Sequence, residues 1–244
     1  MTISRRDLLI GSAITVTAAS TGARAQAPQE VVIGAIYPLS GSSAQIGVDA
    51  QFAFNTAADI VNTVHDLDLP LARSAGLPGL NGAKIRLVLA DHQADPQKGR
   101  AEAERLITQD KVAAIIGTYQ SAVAVTVSET AERYQIPFLS ADNSSPSLHR
   151  RGLKFYFRPA AHDEMFSTAM FDFFDALKKK GQSIETLALF HEDTIFGTDS
   201  ANAQANNLRS QFSASETAIA QLQAEQQQLA AALGFSVGSS GSSS

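Results

Sequence analysis

Val112-Ala113-Ala114-Ile115-Ile116-Gly117-Thr118-Tyr119-Gln120-Ser121-Ala122 is the stretch that decides the fold class. Val112 to Gly117 is a brief apolar run, the pattern of a buried strand, and Tyr119-Gln120-Ser121 then opens a helix predicted to run through Tyr134. The same change from strand to helix repeats on either side. Upstream, Val31-Val32-Ile33-Gly34-Ala35-Ile36 is a β-branched run that stops at Tyr37-Pro38 and crosses a polar turn. It leads into a helix from Ala44, with Ile46, Ala50, Phe54 and Val61 at helical spacing. Residues 66–81 carry two Pro and two Gly and read as a connecting loop. Lys84 to Ala90 is a second strand, after which Asp95 caps a helix that takes Pro96 as its first residue.

Downstream, Ile136 to Leu139 and Phe155 to Arg158 are further strands, followed by a helix from Asp163 to Lys180 that ends conventionally in three Lys and Gly181. Thr186 to Phe190 reads as one more strand. This alternation predicts an α/β fold, a mostly parallel sheet with helices on both faces. Past Gln204 the character changes. Ala205, Leu208, Phe212, Ser215, Ile219, Leu222, Gln226, Leu229 and Leu233 recur at alternating steps of three and four, a heptad seam in a Gln- and Ala-rich helix. Gly and Ser alone fill 238–244, a flexible end.

Composition narrows the function. The 244 residues contain no Cys, which excludes disulfides, Cys-ligated metals, thiol nucleophiles and Cys-linked lipid anchors. A formal net charge of -5 leaves no basic surface for nucleic acid, so the expected partner is a small molecule or a protein. Residues 1–25 read as an export signal: Arg5 and Arg6 form a basic, twin-arginine-like start, Leu8 to Ala19 is apolar or small, and Ala23-Arg24-Ala25 is a cleavage site. The apolar stretch is shorter than the roughly 20 residues of a membrane-spanning helix. With Gln26 rather than Cys after the cleavage site, the mature protein is expected to be free in the periplasm.

In an open parallel sheet, ligands bind outside the carboxyl ends of the strands. Ser40 to Gly47, Thr118 to Ala122 and Ser140 to Ser145 are strand-end loops of small and hydroxyl residues, the candidate wall of one pocket. Helix N-termini at this edge favour an anionic group such as a carboxylate. Ser121 stands at such a start and is either an anion donor or a plain N-cap. Asp142 either meets an ammonium group or closes an Asx-turn. The motifs of serine hydrolases, P-loops, dinucleotide sites and zinc peptidases are absent, so no catalytic residue and no cofactor is predicted. His191-Glu192-Asp193 makes a poor metal site, because neighbours on a strand point apart, and it reads instead as a strand-end loop across a cleft.

Taken together, V-V-I-G-A-I-Y-P-L-S-G-S-S-A-Q-I-G, D-H-Q-A-D-P, I-I-G-T-Y-Q-S-A, I-P-F-L-S-A-D-N-S-S-P and F-Y-F-R-P, after an export signal, resemble the periplasmic substrate-binding proteins of branched-chain-amino-acid-type (leucine-binding protein-like) ABC transporters. The resemblance covers roughly Glu30 to Gln204. It implies a type I, two-lobed fold that closes on an amino acid or related small carboxylate and delivers it to a membrane permease, without catalysis.

Carried across by position, it puts Ile46 against the ligand side chain and Tyr119, Gln120 and Ser121 around its carboxylate. Asp142 and Ser144 fall near the ligand's amino group, and Phe196 on a second-lobe loop that covers the ligand. Asp142 replaces a small residue and Ile46 an aromatic one, so leucine is not the implied ligand by default. The resemblance divides the chain into a first lobe (26–160), the start of a second (161–204), the helical tail (205–233) and the Gly/Ser end (234–244). Against the family's length it implies a C-terminally truncated or rearranged member with weakened binding. The competing expectation is a binding-incompetent fragment whose seam drives self-association.

Overall fold

The computed structural model describes residues 29–232, and the export signal, Leu233 of the seam and the Gly/Ser end lie outside the described residues. In chain order the elements are β1 (Glu30–Tyr37), α1 (Ala44–Asn62), β2 (Lys84–Asp91), α2 (Pro96–Thr108), β3 (Ala114–Gly117) and α3 (Ser121–Tyr134). There follow β4 (Phe138–Ser140), β5 (Tyr156–Phe157), α4 (Asp163–Lys179) and α5 (Ile195–Ala232). Two short 3-10 segments, Pro78–Leu80 and Pro146–Arg151, lie in the connections.

The strands form one sheet in the order β2-β1-β3-β4-β5, every pair parallel. Successive strands leave β1 in opposite directions, so the order reverses between β1 and β3, which is where an open α/β sheet offers a crevice. Ile36 pairs with Gly117, and Gly117 with Ser140, so β1, β3 and β4 end level. The three loops predicted to wall a pocket therefore leave the same edge.

Helices cover both faces. Ile36 belongs to a core cluster with Leu106 of α2, Val123 and Val127 of α3, Ile115 and Phe138. Tyr37, the next residue and hence on the opposite face, packs edge-on against Phe54 of α1 with ring centroids 5.4 Å apart. On the first face, α2 and α3 approach closely because Gly99 has no side chain: a Cβ there would stand 2.4 Å from Val123 Cγ1. The predicted cap of α2 is present, with Asp95 Oδ1 accepting from the backbone N–H groups of Gln97 (2.7 Å) and Lys98 (3.2 Å) and Pro96 at the first helical position.

Two expectations are corrected. Thr186 to Phe190 is not a strand; it runs without regular structure, and the Phe190 ring is fully exposed. A strand needs a neighbour for its N–H and C=O groups, and among the described residues no strand pairs with this segment, β5 being the last in the order of the described sheet. Nor does a separate helix begin after Gln204. α5 is continuous from Ile195, so the seam from Ala205 is the distal part of a helix whose first turns carry Phe196. That helix is held to α4 by the Asn207 amide, which donates to the Ser167 hydroxyl at 2.8 Å.

Candidate functional site

Thr118, Tyr119 and Gln120 form the turn between β3 and α3 and are pinned from two sides. From one side comes Asn143, fully buried in the loop after β4. Its Oδ1 accepts from the Thr118 backbone N–H at 3.1 Å and from the Ser140 hydroxyl at 2.8 Å. From the other comes His92, fully buried at the end of β2. The Ala94 N–H donates to His92 Nδ1 at 3.0 Å, which leaves the proton on Nε2, 2.9 Å from the Thr118 carbonyl. Burial lowers the His92 pKa, outweighing the help of Thr118 and Asp91, so the ring is held neutral.

Within this frame a cavity of about 650 Å³ opens at the sheet's C-terminal edge. Its floor is the start of α3, where Tyr119, Gln120, Ser121 and Ala122 meet it. The N–H groups of Ser121 and Ala122 belong to the first helical turn, which has no intrahelical acceptors, and the helix dipole adds positive potential there. Ser121 is not the N-cap. Gln120 holds that position, and Ser121 is the first helical residue, 3 % exposed. This is the arrangement that receives a carboxylate or another anion.

Carboxylates line the same cavity. Asp142 Oδ1 accepts from the Tyr37 hydroxyl (3.3 Å) and the Tyr119 N–H (3.2 Å), partners far away in sequence, so its side chain ties three loops together rather than closing a local turn. Burial raises the Asp142 pKa against those two hydrogen bonds, and burial together with the Asp142 charge keeps Tyr37 protonated as a donor. Asp163, in the first turn of α4, is 5 % exposed. Its backbone N–H donates to the Ser144 carbonyl at 2.9 Å and its carboxylate takes the Ser144 hydroxyl, yet Oδ2 is buried with no hydrogen-bond partner. Desolvation raises its pKa, opposed by Ser144 and Arg158.

The cavity is closed on the far side by Phe166 of α4 and by Glu192, Thr194 and Phe196 at the approach to α5. Gly197 shapes that approach, since a Cβ on it would stand 2.1 Å from the Glu192 carbonyl oxygen. Six of the seven predicted site residues therefore share one cavity: Tyr119, Gln120, Ser121, Asp142, Ser144 and Phe196. Phe196 reaches it from the first turn of α5 and not from a loop. Ile46 does not line it; it sits half-buried in the first turn of α1, and Ser43 represents that loop at the wall. Sequence reasoning missed Asp163, whose buried position in a helical first turn carries no motif, and Phe166, whose spacing reads as ordinary helix. Glu192 was read only as part of a loop across a cleft. Among the described residues no group of three or more His, Asp or Glu is placed to hold a metal ion.

The model of the periplasmic binding protein family matches residues 30–231. An amino acid binding protein of Pseudomonas aeruginosa is 30% identical over 208 residues, 84% of this chain and 50% of that one. Leu/Ile/Val-binding protein homolog 8 of Brucella suis is 31% identical over 214 residues, 86% of this chain and 49% of the relative. The chain thus spans about half the length of the curated relatives it matches.

In fold it is similar to a solute-binding protein of an ABC transporter from Rhodopseudomonas palustris in complex with 3,4-dihydroxybenzoic acid (TM-score 0.61, 21% identity, 75% of this chain and 44% of that one). It is also similar to the leucine-binding protein LivK of Thermotoga maritima (TM-score 0.58, 23% identity, 74% and 46%). The cavity lies at the strand-order reversal of a parallel sheet and the family match runs through nearly every described element: the chain belongs to the periplasmic binding protein family.

Proposed function

We propose that the protein is an exported solute-binding protein that captures an amino acid or related small carboxylate for an ABC transporter, and that it catalyses no reaction. The observation that carries this reading is the polarity of the cavity, where the first turn of α3 meets Asp142, bound beside it to the Tyr119 N–H, and Asp163 at the start of α4. That is the complement of a zwitterion, carboxylate to the helix and ammonium to the acids. The volume suits it, because small-molecule sites fall in the range of about 300–1,000 Å³. Export rests on Arg5-Arg6 and Ala23-Arg24-Ala25, and no described helix is long and apolar enough to cross a membrane.

Thermal shift and titration calorimetry on the full chain, against all proteinogenic amino acids and a set of small carboxylates, test this. Ligand at a hundredfold over Kd stabilises the fold by about 2.7 kcal/mol, an easily read rise in Tm. Ala122→Trp, which fills the cavity floor, is expected to abolish the response while leaving the unliganded Tm close to that of the parent. A flat response across the whole panel would overturn the reading.

A second reading concerns α5. Phe212, Ile219, Leu222 and Leu229 stand exposed along its distal part, as a seam that pairs with a second copy would. Sedimentation that shows dimers, lost in Leu222→Glu, is the expected outcome; a monomer at all concentrations removes it.

A further inference from the structure

The cavity's charges do not balance. Asp142, Asp163 and Glu192 reach its wall from three separate segments, the loop after β4, the first turn of α4 and the approach to α5, while no lysine, arginine or histidine lines it. Arg158 and His162 act on Asp163 through space, but both belong to the wall of a different cavity, with His149 and Tyr156. Among the described residues neither comes within ion-pair distance of Asp163. The Arg158 guanidinium is instead spent on the Ser145 carbonyl (2.6 Å), the Tyr156 hydroxyl (3.0 Å) and His149 Nδ1 (3.2 Å).

Two of the residues that line the cavity carry a buried acceptor without a partner, Asp163 Oδ2 and Gln120 Oε1. A buried acceptor without a donor is costly, and costlier when it is charged. A ligand rich in N–H donors would satisfy either acceptor once the residue's side chain turns toward the cavity. A neutral amino acid brings one ammonium group to three carboxylates, and its carboxylate, at the start of α3, adds a fourth negative charge. An aromatic carboxylate brings no cation at all. Resting on the solute-binding reading, we infer that the ligand is a basic amino acid, one that carries a second cationic nitrogen in its side chain. Ala94, Pro96, Phe166 and Phe196 supply the apolar wall along which an aliphatic stem would lie, with the charged end among the acids.

The test is titration calorimetry of the full chain with lysine, arginine, leucine and 4-hydroxybenzoate at low and at 0.5 M salt, the salt level being about three times physiological strength. Lysine or arginine is expected to bind at least ~10-fold more tightly than leucine, with an affinity that falls as salt rises. Asp163→Asn should weaken the basic ligand by ~10-fold or more and leucine by clearly less, because Asp142 still meets leucine's single ammonium group whereas the second cation loses its partner. Glu192→Gln, on an exposed side chain whose loss cannot unfold the chain, should weaken the basic ligand severalfold and selectively. If leucine or the benzoate binds as tightly as lysine and arginine, or if both variants weaken all ligands alike, this inference falls and the solute-binding reading stands. If none of the four binds, this inference falls, and the solute-binding reading falls with it only when the full amino-acid and carboxylate panel is flat as well.

Discussion

Residues 30–158 and residues 163–232 are both built from helices with apolar stripes, yet they use them differently. In the first region the stripes meet: Ile36, Leu106, Ile115, Val123, Val127 and Phe138 are all removed from water in one cluster. In the second, Phe171 and Ala203 are the described apolar side chains that become buried, while Phe166, Phe173, Phe190 and Phe212 remain in solvent. The difference lies in what each helix has to lean on. A sheet gives several helices a common flat surface, whereas α4 and α5 have chiefly each other, and two helices cannot enclose a core. Stability should therefore reside in the first region, and the second should act as one wall of the cavity without holding up the fold.

The largest predicted effect tests that contrast directly. Phe138→Ala empties a fully buried position between β4 and the helices and is expected to cost about 3–5 kcal/mol in urea unfolding, while Phe173→Ala on the exposed side of α4 should stay within about 0.5 kcal/mol. Equal losses would mean that the second region shares the core after all. Next comes Asn143→Ala, which strands the Thr118 N–H and the Ser140 hydroxyl without solvent. About 1–3 kcal/mol is expected, together with weaker ligand binding because the turn before α3 loses its anchor.

Those two residues also mark how far the fold and the site are legible in sequence. Phe138 lies in Ile136-Pro137-Phe138-Leu139, an apolar run recognisable as a strand, and the five strands of the sheet are all readable this way because each is a short apolar run, even where one face stays open to solvent at Leu139 and Phe157. Thr186 to Phe190 carries the same imprint without the structure, because a strand is a relation to a neighbour and the pattern records only one partner. Asn143 and Asp163 are invisible for the converse reason. Each owes its role to atoms across the fold, Asn143 to Thr118 and Asp163 to Ser144, and nothing adjacent in sequence announces it. The strand-end loops were legible because topology alone brings them to one edge.

A smaller effect separates helix propensity from packing. Gly99→Ala would ordinarily help a helix by up to about 1 kcal/mol, but here the new methyl meets Val123 Cγ1 at 2.4 Å. The two helices must part, and a net loss of about 1–2 kcal/mol is expected by thermal or urea melts. A gain would show that α2 and α3 have slack at this crossing and that the first region is less tightly packed than its burial implies.

The smallest effect is confined to the acid limb. His92 is buried and neutral, with its pKa below the ordinary value near 6.5 that the unfolded chain retains. Above about pH 6.5 neither state binds the proton and the group leaves stability independent of pH. As pH falls below that value the unfolded chain takes up a proton that the folded chain refuses, so stability declines, with a slope of at most ~1.4 kcal/mol per pH unit for one proton, until pH passes the folded value. His92→Gln keeps an N–H for the Thr118 carbonyl but cannot titrate. Urea midpoints measured at pH 7.5 and pH 5 should therefore fall less in the variant than in the parent, while Asp142, Asp163 and His149 titrate alike in both. The same protonation would turn Nδ1 from acceptor to donor and break its bond from Ala94, loosening the turn before α3 from the sheet side. An unchanged difference between the two pH values would mean that another group governs the acid limb and that protonation of His92 leaves the turn before α3 in place.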